Sequence, residues 1–136
     1  MFSLRNILSN KGLFQAFFWI WLILIFIFSS VPDLPVPEKK IADLFRTDYL
    51  IHFFQYMVLA FFFVIAKGKT FFPLRTFLIF WLTGTFIGTI DELHQLFIPG
   101  RAFNIRDMLL NSAGFLFGTV LTAYLLLIIF PSDKKE

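Results

Sequence analysis

Residues 84–118 read GTFIGTIDELHQLFIPGRAFNIRDMLLNSAGFLFG, and the fold is decided by how they are read. Two apolar runs flank Pro99-Gly100-Arg101, a tripeptide that ends one helix and turns into the next. At 100° per residue, Gly84, Gly88, Asp91, Glu92 and Gln95 fall on one face, because steps of three and four separate them. Past the turn, Asp107, Asn111, Gly114 and Gly118 repeat the pattern. Upstream, Asp48, His52, Gln55 and Tyr56 do the same. Three segments therefore each carry one polar or small-residue stripe on an otherwise Phe-, Leu- and Ile-rich surface.

The rest of the chain says what solvent surrounds those surfaces. Of 136 residues, 58% are hydrophobic, 22 are phenylalanine and only 15% are charged, with a mean hydropathy of +0.78. A soluble domain has about 25% charged residues, so this chain has too little polar surface to cover itself in water. Disorder, coiled coil and a secreted disulfide scaffold are excluded. The absence of cysteine removes disulfides, thiolate nucleophiles and Cys-based zinc sites, and leaves the redox compartment unread. The net charge of +3 and pI near 9.4 do not indicate nucleic acid. The cations are scattered over short connecting and terminal segments, as membrane-surface anchors are.

Crossing a bilayer as a helix takes about 18 or more apolar residues. Four segments meet this, at about residues 13–31, 49–66, 77–98 and 108–130. The breaks have chemical causes: Pro32 and Pro35 after Ser29-Ser30, then Lys67-Gly68-Lys69 and Pro73, then the Pro99-Gly100 turn. The first run is read as a retained span rather than a cleaved signal peptide, because it is long and no A-x-A site follows. The expectation is an all-α transmembrane bundle of four helices with short loops, forming a single domain over residues 1–136.

Lysine and arginine orient it. With the N-terminus cytoplasmic, Arg5, Lys11, Lys67, Lys69, Arg75, Lys134 and Lys135 are inside, and Lys39, Lys40, Arg46, Arg101 and Arg106 are outside. Both termini are thus expected in the cytoplasm. Alternation then brings Asp48 and His52, Asp91 to Gln95, and Asp107 to Asn111 to one membrane face, with Arg101 on the turn beside them. Asp91 is expected about 10 Å below a helix end at Ile98. Charged side chains inside a bilayer turn inward and find partners, so the stripes should face one another. The two GxxxG pairs would permit close backbone approach.

The residue types limit the chemistry. Asp91 and Glu92 are adjacent, so they point apart on a helix and would need a carboxylate from another span, Asp48 or Asp107, to make an acid–base couple. His52 is the best general base by intrinsic chemistry, with Asp48 one turn earlier as its partner. Arg101 suits two-point contact with a phosphate or carboxylate, or a pair with Asp91, Glu92 or Asp107. Capping by Asp107 is the bland expectation for the start of span four, His94 lies to one side of the stripe, and Ser29 and Ser30 read as caps or backbone partners. A metal could be drawn from His52, Asp91, Glu92 and Asp107, but no ligand spacing supports one, so neither metal nor cofactor is expected. No P-loop, GxGxxG, GxSxG elbow or Cys-His pair is present.

The blocks Asp48-x-x-x-His52-x-x-x-Tyr56, Asp91-Glu92-x-x-Gln95-x-x-x-Pro99-Gly100-Arg101 and Asp107-x-x-x-Asn111-x-x-Gly114-x-x-x-Gly118 resemble the VanZ-like family of small membrane proteins. The Ser29-Ser30 and proline ending of span one is similar to that family too. One departure is Tyr49, where the family often has lysine. The resemblance implies a bacterial cell-membrane protein linked to resistance against the glycopeptide teicoplanin, with no established reaction. It marks Asp48, His52, Tyr56, Asp91, Glu92, Gln95, Arg101, Asp107 and Asn111 as the candidate site.

Three functions compete on this reading. One is a pocket that binds or acts on an anionic membrane lipid or lipid-linked cell-wall precursor, with His52, Asp91 and Glu92 moving protons and the remaining site residues binding. Another is a proton-linked lipid or drug carrier, which would need a homodimer because four spans are thin for transport. The last is a non-catalytic partner of a cell-wall synthesis complex.

Overall fold

The computed structural model describes residues 4–32, 47–68 and 73–130. Within them the chain is all-α: α1 (Leu4–Leu8), α2 (Lys11–Ser29), α3 (Thr47–Lys67), α4 (Leu74–Gln95) and α5 (Ile105–Ile129). The last four are each long and apolar enough to cross a membrane. At 1.5 Å per residue their 19, 21, 22 and 25 residues span about 28 to 37 Å, against about 30 Å of hydrocarbon. The chain is therefore a multi-pass membrane protein of the expected architecture. Several of the orienting cations, Lys39, Lys40, Arg46, Lys69, Lys134 and Lys135, lie outside the described residues, as does Pro35.

Local chemistry sets the helix ends. Asn10 caps α2 by accepting the Leu13 N–H at 3.1 Å. At the other end Ser30 returns its hydroxyl to the Phe26 carbonyl at 2.6 Å, just before Pro32. Gly68 closes α3 at φ 60°, in the left-handed conformation that glycine adopts at no steric cost. Helix α4 opens at Leu74 rather than near Phe77, because the Pro73 carbonyl accepts the Thr76 and Phe77 N–H groups.

The end of α4 also departs from expectation. The N–H groups of Leu96, Phe97 and Ile98 bond three residues back, tightening the last turn, so the α-helix stops at Gln95. Asp91 thus stands about 6 Å from the helix end rather than about 10 Å. Pro99 and Gly100, at φ 83°, then form the expected tight turn, closed by the Arg101 N–H on the Ile98 carbonyl at 3.1 Å.

Helix α3 is the centre of the bundle, packed on α5 most extensively, with α2 on its other side and α4 against α5. Tyr56, Leu59, Ala60, Val64 and Ile65 on α3 are fully buried. The phenylalanines divide between two environments. Phe63 packs edge-on against Phe80 at 4.9 Å and tilts against Phe115 at 5.8 Å, while Phe54, Phe86 and Phe117 are exposed on the outer surface. An outer surface of Phe, Leu and Ile suits lipid, which gives no hydrophobic drive for helices to associate. Close packing and polar bonds must then hold them together.

Glycines permit that packing on α5. A side chain at Gly114 would collide with the backbone carbonyl of Phe53, and one at Gly118 would press on that of Met57. On α4, Gly84 leaves room for the Phe115 ring and Gly88 for Asn111 and Tyr56. The two GxxxG pairs therefore let the polar stripes meet.

Candidate polar site at the α3–α4–α5 end

Helices α3 and α5 begin, and α4 ends, at the same end of the bundle. His52, in the second turn of α3, is the hub. Its Nδ1 lies 3.1 Å from Asn111 Oδ1 on α5 and 4.0 Å from Glu92 Oε1 on α4. Its Nε2 lies 3.9 Å from Asp107 Oδ2 on α5. These contacts reach across to α4 and α5, where the sequence reading offered Asp48 on His52's own helix. Asp48 occupies the first turn of α3 and is half-buried.

Asp91 and Glu92 point apart, as adjacent helical residues must, and both are buried. Asp91 Oδ2 accepts the Tyr56 hydroxyl at 3.4 Å. Glu92 belongs to the His52 cluster: Oε1 accepts from Gln95 Nε2 at 3.1 Å and Oε2 from the Asn104 backbone N–H at 3.3 Å. Gln95, Tyr56 and Asn111 are thus buried partners of the ionisable groups, holding them in place.

Two expectations about the site are corrected. Asn104, not Asp107, caps α5, its side chain accepting the Arg106 N–H at 3.0 Å. The helix consequently starts three residues earlier than expected, with Asp107 in its first turn. Arg101 directs Nε and Nη2 to the Val31 carbonyl, at 3.3 and 3.1 Å, rather than to a carboxylate among the described residues. The reason is the turn, which carries Arg101 out toward the end of α2.

Position 49, where the resemblance marked a departure, faces a cation from another helix: the Tyr49 hydroxyl accepts from Arg106 Nη1 at 3.4 Å. Sequence reading missed Asn104, whose backbone N–H carries no side-chain signature. His94, expected to one side of the stripe, lies against the end of α2. His94 Nε2 lies 2.9 Å from Ser30 Oγ, tying α4 to α2.

Beside this tie lies an apolar groove of about 600 Å³, lined by Trp19, Leu22, Ile23, Phe26 and Ile27, with Ser30, Val31 and His94 at its polar end. Val31 belongs both to the groove and to the Arg101 contact. The groove's rim and the guanidinium are therefore neighbours.

Residues 12–130 match the family model described as VanZ/LLP1. No curated protein and no solved structure matches the chain. With the match covering most of its length, the chain belongs to the VanZ/LLP1 family.

Proposed function

We propose that this VanZ/LLP1 membrane protein binds an anionic, lipid-linked head group of the bacterial cell envelope at the His52 end of its bundle. The ligand is a membrane lipid or a lipid-linked cell-wall precursor, and its handling underlies resistance to a glycopeptide such as teicoplanin. With both termini cytoplasmic, the site opens on the outer face of the cell membrane.

One observation carries the reading: the groove along α2 ends at Val31, where Arg101 presents two N–H donors. A hydrocarbon chain in the groove would set its head group against Arg101. There a phosphate oxygen would replace the neutral Val31 carbonyl and bring an opposite charge to the two-point contact of the guanidinium. The His52–Glu92–Asp107 cluster stands at the same end of the bundle, where His52 serves as proton carrier and Glu92 and Asp91 as its acidic counterparts. Tyr56, Gln95 and Asn111 act by holding those groups, Asp107 binds from within the cluster, and Asp48 adds a carboxylate one turn before His52 on α3.

The test uses Arg101→Ala and Glu92→Gln variants that insert stably in the membrane. Both are expected to lower glycopeptide resistance and to alter the lipid or precursor profile. Unchanged resistance and unchanged profile in both variants would remove the reading.

A further inference from the structure

The separations within the cluster are unusual. Carboxylate oxygens face the two ring nitrogens of His52 at 3.9 and 4.0 Å, beyond the 2.7–3.2 Å of a protein hydrogen bond. One ligand atom each from His52, Glu92 and Asp107 lies within 4.8 Å of the others. Three donors around one ion at about 2.0–2.2 Å stand about 3.4 Å apart in a tetrahedral arrangement. Small side-chain rotations close the difference.

The imidazole supplies an independent argument. Asn111 is fully buried and its Oδ1, a carbonyl oxygen, only accepts, so the Nδ1 it meets at 3.1 Å carries the proton. The other ring nitrogen, Nε2, faces Asp107 Oδ2 at 3.9 Å. A cation held at Nε2 would meet that carboxylate oxygen.

We infer that His52, Glu92 and Asp107 form a site for one divalent transition-metal cation of the zinc class. A single imidazole with two carboxylates suits zinc, cobalt or manganese, whereas magnesium and calcium prefer oxygen alone. Neighbouring groups hold two of the ligands: Asn111 orients His52, and Gln95 and the Asn104 N–H orient Glu92. His52, at 12% side-chain exposure, leaves a path for the ion to enter. Asp91 is outside the set because its carboxylate turns to Tyr56. The three ligands come from three helices, which explains the lack of a spacing motif. Three protein ligands also leave an open coordination position.

The site shares residues with the head-group reading but does not rest on it, and its test needs no lipid ligand. Tag-free, metal-stripped protein in detergent micelles is dialysed against Zn²⁺, and separately against Co²⁺. Wild type is expected to retain one ion per chain, with Co²⁺ acquiring the visible absorption of a low-symmetry site. His52→Ala and Asp107→Asn are expected to lose the ion, and Asn111→Ala to weaken it by about 10–100-fold. His94→Ala is expected to keep it. Circular dichroism checks that each variant is folded. Wild-type protein that holds no stoichiometric ion overturns the site without reference to any variant, as does an equal loss in His94→Ala. Protein that binds Zn²⁺ but no anionic lipid upholds the metal site and removes the head-group reading. Protein that binds lipid but no ion does the reverse.

Discussion

His52 Nδ1 and Asn111 Oδ1 stand 3.1 Å apart, joining the second turn of α3 to the second turn of α5 across 59 residues of sequence. The bond lies where the two most extensively packed helices of the bundle begin. It orients the imidazole at the centre of the cluster as well as linking the helices.

A double-mutant cycle measures that link. His52→Ala and Asn111→Ala, made singly and together, are expected to show a coupling of about 0.6 kcal/mol, and at most about 1.7 kcal/mol, in line with interhelical hydrogen bonds in membranes. Unfolding in mixed micelles provides the readout. Strictly additive effects would mean that the two side chains do not interact.

The glycines give a sharper contrast. Gly114→Ala would push a methyl group into the Phe53 carbonyl, and a backbone atom does not swing aside. A loss of about 1–3 kcal/mol is expected, the usual cost of overpacking. At Gly12 the nearest atom to an added Cβ is 3.7 Å away, so Gly12→Ala should leave stability unchanged or slightly raised. Equal effects at the two positions would contradict the close α3–α5 crossing.

Much of this was legible because lipid makes a stripe conspicuous. Asp91, Asn111 and Gly114 stand out against apolar neighbours at steps of three and four. A charged or amide side chain among lipid has few places to go but inward. The four spans followed from apolar length, and Pro99-Gly100 announced its turn. What stayed hidden depended on backbone groups and on exact helix ends. Nothing in the sequence shows that the Asn104 N–H meets Glu92, or that tightened bonds after Leu93 end α4 at Gln95. The partner of Arg101 stayed hidden for a related reason: it is a carbonyl at the end of α2, and a carbonyl belongs to every residue alike.

A second polar tie should be separable from the site. Trp81 Nε1 donates to Ser112 Oγ at 2.9 Å, and Thr85 Oγ1 lies 2.7 Å from the same hydroxyl, holding α4 to α5. Ser112→Ala is expected to lower stability by about 0.6–1.7 kcal/mol while leaving resistance intact in cells. A loss of resistance at unchanged protein level would show that this tie serves function directly.

Glu92→Gln should behave in the opposite way. Glutamine has nearly the same shape and retains an acceptor for the Asn104 N–H, while the substitution removes a buried charge. Stability is expected to hold within about 1 kcal/mol or to rise, since a buried charge contributes little net stability. Binding of an anionic-lipid probe or of Zn²⁺ should change. A large drop in stability with function preserved would assign Glu92 to packing alone.

The most direct test asks whether the cluster opens to water at one end. The chain contains no cysteine, so a single introduced thiol reports alone. His52→Cys in membrane vesicles is expected to react with a charged, membrane-impermeant thiol reagent from the outer side only, and more slowly when anionic lipid is added. Thr119→Cys, fully buried two turns deeper on α5 than Asn111, is expected to stay unmodified. An unreactive His52→Cys, or equal rates at the two positions, would contradict a shared water-reachable site.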